Sequence, residues 1–348
     1  MQEQKRNWQF DFLKGISCIC VVFLHCRFPG VVGDLIIYAF RFPVPIFFMI
    51  TGYYSYGKEG AWIRKRAWCM LKMLLVTELL YGCWNVILVL LDNGSLSFYL
   101  STLEGLRHPF RTFVCGTLFN ATLWYLYAAF WTYVAIYLLR KEIRGGWEYV
   151  LVPILLCGQI FGRFYWQNHY DIDQAIYWFR SVFLFGLPLT LLGSLLAEKS
   201  QWIKEKCSLF VAFLITVLGG GIIIVEYVVS GQYMDFHLST VFISVGLFLM
   251  AMTFPTEKSR GLFSGIAYIG RKLSMWVYLL HIWCGSVLER LREKIDGNYT
   301  IYFDWLKPIL VCLCACLAAF AINCIRDKLK SRGQVIGNDG TQAESKSA

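Results

Sequence analysis

Asp11, Lys14 and His25 lie within one long apolar run. An ionisable side chain inside a membrane helix costs about 2.5–3.5 kcal/mol, so each must face protein or a wet cavity. Taking about 100° per residue, His25 lies about 20° from the direction of Lys14, and Asp11 about 60° from Lys14 and about 40° from His25. The three share one stripe, with Lys14 and His25 about 16 Å apart along the axis at about 1.5 Å rise per residue. A cation low on the stripe and an imidazole higher up suit a long anionic donor, with phosphates at Lys14 and a reactive acyl group at His25. Histidine is the side chain best suited to take a proton from a hydroxyl near neutral pH. The same residues also fit a plainer reading, in which Asp11 and Lys14 form an interfacial ion pair and His25 is bonded within a helix bundle.

Further ionisable residues lie in or beside other apolar runs. Arg41 precedes Pro43 and Pro45, which either break a helix and free carbonyls to line a cavity or simply start one, leaving Arg41 at the interface. Glu78 is a candidate partner for one of these cations, and Arg180 is either an interface anchor or a cavity cation. Glu226 falls close to the end of its run, where exposure is expected. Arg163 and Arg271 lie near run ends. His281, in Tyr278-Leu-Leu-His, reads as an interhelical bonded residue, and Trp124 belongs to an aromatic stretch of the kind found at membrane interfaces.

The elements that must carry these residues follow from composition. The chain has 348 residues, 57% hydrophobic, 17% aromatic and only 16% charged. Its mean hydropathy of +0.52 extends along the whole length, which excludes a soluble domain with one anchor. Ten segments approach the roughly 20 apolar residues a spanning helix needs: 10–28, 36–56, 69–91, 118–139, 147–165, 175–197, 208–229, 237–254, 265–288 and 304–325. The expected fold is an all-α, polytopic membrane bundle.

The net charge of +10 resolves by position. With the N-terminus inside, each inner segment is basic: Lys5 and Arg6; Lys58, Arg64, Lys65 and Arg66; Arg140, Lys141 and Arg144; Lys199, Lys204 and Lys206; Lys258 and Arg260; Arg326, Lys328, Lys330 and Arg332. This is the positive-inside pattern, with both ends cytoplasmic, and it points away from nucleic acid as a partner. Outer segments include 166–174 with Asp171 and Asp173, and 230–236 with Asp235. The loop 289–303 departs from the trend with Arg290, Arg292 and Lys294, offset by Glu289, Glu293 and Asp296.

The stretch 95–117 has helical apolar spacing with Arg107, His108 and Arg111 between, and predicts one helix lying at the interface. The first apolar run lacks a small-residue cleavage site and reads as a retained span. Residues 1–332 read as one membrane domain and 333–348 as a polar tail without fixed structure. Asn93, Asn120 and Asn298 begin sequons that chance explains. The thirteen cysteines lie mostly in apolar runs without zinc-like spacing, so no metal is expected.

In this setting the sequence resembles the acyltransferase 3 family of bacterial integral-membrane acyltransferases. The likeness covers about residues 7–325. It rests on Phe10-Asp-Phe-Leu-Lys-Gly followed by His25, on Pro45-Ile-Phe-Phe-Met-Ile-Thr-Gly-Tyr, and on Arg64-Lys-Arg. Further along come Leu123-Trp-Tyr-Leu, Arg180 with Gly186-Leu-Pro and Gly193, and Gly270-Arg-Lys-Leu-Ser-Met-Trp-Val-Tyr-Leu-Leu-His, in family order. Two positions depart from the usual pattern. Lys14 stands where arginine is common, which keeps the charge but loses the two-pronged phosphate contact, and Thr51 stands where serine is common.

The resemblance implies about ten membrane helices, an acyl-CoA donor supplied from the cytoplasm, and transfer to a hydroxyl, commonly of a cell-surface carbohydrate. It places catalysis at His25, with Lys14 as its basic partner and Asp11 beside it, and makes Arg41 and Arg180 site cations. Lys14, Arg41, Arg64 and Arg66 are the expected donor-binding residues. Arg180, Trp124, Tyr278 and His281 are the expected acceptor contacts. The expected activity is an O-acetyltransferase (EC 2.3.1.-) in the cytoplasmic membrane, using acetyl-CoA and no metal, with a carbohydrate acceptor and membrane lipid as partners. Two competing classes are a transporter or flippase whose intramembrane charges bind cargo, and a sensory or anchoring domain without chemistry.

Overall fold

A computed structural model describes residues 7–345 except 104–107, 117, 140–145, 170–177, 231–235, 256–260, 296 and 298. Lys5, Arg6, Arg107, Arg140, Lys141, Arg144, Asp171, Asp173, Asp235, Lys258, Arg260, Asp296 and Asn298 therefore lie outside the described residues. Every described element is helical. Among the described residues, seven helices are long and apolar enough to cross a membrane, and an eighth is added if Val182–Glu198 and Ser200–Lys206, bent by 67°, form one broken span. All ten segments expected from the sequence contain helix. Two of them fall short of the same measure. Leu238–Thr253 has only 16 residues, and the segment 265–288 is interrupted by a π-turn at Ile269–Leu273. The Leu209–Val229 window is 11% buried at a mean hydropathy of 2.4. So apolar a surface left uncovered requires lipid around it, and the protein is a multi-pass membrane protein.

The chain divides into two compact units. One comprises Asn7–Pro43 and Pro255–Ala348. Its first helix, Trp8–His25, is capped by the Asn7 side chain, which accepts from the Gln9 N–H at 3.0 Å. The Gln9 amide donates to the Pro255 carbonyl at 2.9 Å. Gly15 lies directly on the Ile266 carbonyl, and Gly270 directly on the Asp11 carbonyl, with no room for a Cβ at either. Two glycines on facing segments thus let the first helix and the Leu262–Tyr268 and Ile269–Leu273 turns meet backbone to backbone. The last helix, Thr300–Ser345, buries Val311, Ala315 and Ala319 completely, a small-residue stripe at i, i+4 spacing. In the loop that ran against the charge trend, Arg292 pairs with Asp304 and Glu289, and Lys307 pairs with Glu289.

The other unit, Val44–Phe254, has a core of Ile63, Ala67, Phe130, Tyr133, Ile136, Val152, Val182, Leu187 and Leu191. Gly52 meets the Thr190 carbonyl and Gly193 the Met49 carbonyl, the same device of paired close approach. Pro43 and Pro45 open the helix Pro43–Ser55, as proline's fixed φ suits a first turn. Of the two readings for those prolines, helix initiation is the one found.

Three expectations change. The stretch 95–117 is not one helix: Leu96–Thr102 and Pro109–Cys115 are separate, because Pro109 disfavours helical backbone at His108 and begins a new turn. Glu78 pairs with no cation among the described residues; it accepts from the Tyr127 hydroxyl at 2.7 Å and the Phe119 N–H at 3.2 Å. Glu226 is half-buried and accepts from the Ser239 hydroxyl at 2.5 Å, with His237 Nδ1 3.6 Å away.

Candidate active site

The first helix positions Asp11, Lys14 and His25 on an unbroken α-helix, so the separation expected from its rise holds. Asp11 is buried at 5% exposure, its backbone pinned by Gly270. Lys14 is half-buried, and His25, the last helical residue, is exposed. The chain leaves the helix at Cys26, whose N–H closes the final turn on the Val22 carbonyl at 2.8 Å. Aromatic packing holds this end: Phe23 contacts Phe28 and Phe40 at centroid distances of 5.3 and 6.5 Å, and Phe28 contacts Trp305 at 6.2 Å.

His281 comes to the same place from the Ser274–Arg292 helix. Its ring centroid is 5.3 Å from that of His25, the planes inclined by 42°. The side chain is 1% exposed, and its Nδ1 lies 2.6 Å from the Tyr278 carbonyl. A carbonyl only accepts, so Nδ1 carries the proton and Nε2 of the neutral ring holds a lone pair. That Nε2 is buried and makes no hydrogen bond. The Tyr278 ring lies beside that of His281, centroids 6.0 Å apart and planes tilted by 39°. The arrangement is an exposed imidazole backed by a buried, tautomer-fixed one. Spacing within one helix reveals His25, but the partnership with His281 joins residues far apart in sequence and had no signal beyond the histidine itself.

Arg41 is half-buried in the turn between Gly30–Ala39 and Pro43–Ser55 of the same chain. In the Val44–Phe254 unit the structure brings together two of the expected acceptor contacts: the Arg180 guanidinium lies 5.7 Å from the Trp124 ring centre, a cation–π contact. Gly116, at φ 93°, closes on the Trp124 Cα and fixes its backbone. Arg64 and Arg66 are exposed on the first turns of Gly60–Leu91, Arg66 lying 4.9 Å over Trp62. Sequence reasoning passed over Glu148, which is 4% exposed with one carboxylate oxygen unbonded. Among the described residues no group of three or more histidine, cysteine, aspartate or glutamate side chains gathers to hold a metal.

An imidazole presented at a helix end, backed by a second imidazole, can remove a proton from a hydroxyl, and the arginines elsewhere can hold anions. No curated protein and no solved structure matches the chain. A family model described as an acyltransferase domain matches residues 7–325, nearly the whole length, and the chain belongs to that acyltransferase family.

Proposed function

We propose that this acyltransferase is an O-acetyltransferase of the cytoplasmic membrane, moving an acetyl group from acetyl-CoA to a hydroxyl of a cell-surface or lipid-linked carbohydrate. The observation that carries this reading is the exposed His25 imidazole set 5.3 Å from buried His281. His25 removes the proton from the acceptor hydroxyl as its oxygen attacks the thioester carbonyl. The C–S bond then breaks, and the imidazolium returns the proton to the departing thiolate. Lys14 draws the donor's phosphates, with Asp11 orienting it. By the resemblance, Arg41, Arg64 and Arg66 take the role of donor-binding residues and Arg180 and Trp124 that of acceptor-binding residues, while Tyr278 lines the approach to the histidines.

The reading includes ten membrane crossings with both ends cytoplasmic, supported by helix in all ten apolar segments and by the basic residues between them. Residues 1–332 form the catalytic unit and 333–348 a polar tail. The test is release of free thiol from acetyl-CoA by purified protein in the presence of isolated surface polysaccharide. Turnover in the wild type that disappears in His25→Ala supports the assignment. Equal turnover in both removes His25 from the reaction, and no turnover in either returns the transporter reading.

A further inference from the structure

The Val44–Phe254 unit contains a cavity of about 170 Å³ lined by residues from five helices and a turn, among them Ser55, Tyr56, Lys58, Ile63, Glu148 and Thr190. Room for roughly five waters makes it large enough for a small polar group. Three of its walls carry buried polar atoms that bond to nothing: the Ser55 hydroxyl, one Glu148 carboxylate oxygen and the Thr190 hydroxyl. Glu148 and Thr190 are 4% and 1% exposed. Neighbouring Glu198, by contrast, is fully engaged, accepting from the Tyr149 hydroxyl at 2.8 Å and pairing with Lys199 at 3.1 Å. Neither Glu148 nor Lys58 has an ion-pair partner among the described residues.

A buried carboxylate left unpaired costs several kcal/mol, and a bound cation with hydrogen-bond donors removes that cost. One cavity thus presents an unpaired anion and an unpaired cation, which a molecule carrying an ammonium and a phosphate complements at both ends. The cavity's level agrees. Ser55 ends the apolar stretch Gly30–Ser55, long enough to cross a membrane, Ile63 lies in the first turn of the spanning helix Gly60–Leu91, and Glu148 begins a third such segment. Such ends lie where lipid head groups lie.

We propose that this cavity binds the zwitterionic amine–phosphate head group of a phospholipid, with the ammonium on Glu148 and the Thr190 and Ser55 hydroxyls and the phosphate on Lys58. The proposal does not depend on the acyl-transfer reading.

Thermal-shift titration of the purified full-length protein in detergent tests it. The probes are short-chain phosphatidylethanolamine, soluble phosphoethanolamine, short-chain phosphatidylglycerol and adenosine 3′,5′-bisphosphate. Saturable stabilisation by phosphatidylethanolamine, weakened at least tenfold in both Glu148→Gln and Lys58→Gln, supports the proposal. Phosphoethanolamine stabilising as strongly as the lipid would overturn the lipid as the source, leaving a soluble zwitterion. Equal stabilisation by phosphatidylglycerol, stabilisation by the nucleotide alone, or no response to either amine–phosphate probe overturns the site itself. Lys58 is a turn residue, so its variant gives a reading even if Glu148→Gln does not fold.

Discussion

His25 and His281 place their imidazoles side by side, centroids 5.3 Å apart, one exposed and the other buried with its Nδ1 proton held by the Tyr278 carbonyl. The buried ring offers only a lone pair toward its surroundings. It can accept an N–H from His25 and so leave the outward nitrogen of His25 as the one that takes a proton. Replacing His281 with leucine should lower kcat about tenfold, the equivalent of ~1.4 kcal/mol, with KM for acetyl-CoA unchanged. Asparagine, which keeps an acceptor, should recover part of the loss. A KM effect as large as the kcat effect would show that His281 shapes binding rather than His25.

Removal of the proposed base itself should cost more. His25→Ala is expected to reduce kcat by ~10²–10⁴-fold, the range of general base catalysis, while thermal stability stays near wild type because the side chain is exposed. Steady-state thiol release and a melting curve on the same preparation check both halves.

In the proposed reaction Lys14 acts at a distance from the chemistry. Lys14→Ala should raise KM for acetyl-CoA with little change in kcat, and Lys14→Arg should retain or tighten donor binding, since the guanidinium adds a forked phosphate contact. Competition by CoA, measured for the three proteins, distinguishes this from a purely structural ion pair, which would lower stability without touching KM.

Gly270 and Gly265 separate tight from open glycine positions. Gly270→Val forces a side chain into the Asp11 carbonyl, and overpacking of this kind costs about 1–3 kcal/mol or more. Gly265 has open space around it, so Gly265→Ala should be neutral or slightly stabilising. Melting temperatures in detergent should fall for the first and hold for the second.

Glu78 tests the buried polar pair in the other unit. Tyr127→Phe leaves one carboxylate oxygen without its 2.7 Å donor and should cost about 1–3 kcal/mol. The double variant Glu78→Gln with Tyr127→Phe should cost less than the sum of the singles; strict additivity in a melting cycle would mean the bond contributes nothing.

The helices were legible in the sequence because apolar runs and positive-inside charge are local signals. The stripe of Asp11, Lys14 and His25 was legible for the same reason, lying in one helix. What escaped depends on contacts across sequence: Glu78 finds a tyrosine hydroxyl and a backbone N–H rather than a cation, and Glu148 lines a cavity with residues from four other helices and a turn. The break at Pro109 was readable from proline chemistry, yet the apolar spacing from Phe98 to Phe113 masked it. The π-turn at Ile269–Leu273 had no signature beyond Gly270, whose use is to let another helix's backbone in.

The unbroken course of the first helix from Trp8 to His25 makes it a ruler. With Lys14 and His25 fixed about 16 Å apart along one rigid axis, the enzyme proposed here selects its donor by length. A thioester on a short arm can satisfy the charge or reach the base, never both, whatever the shape of the pocket between.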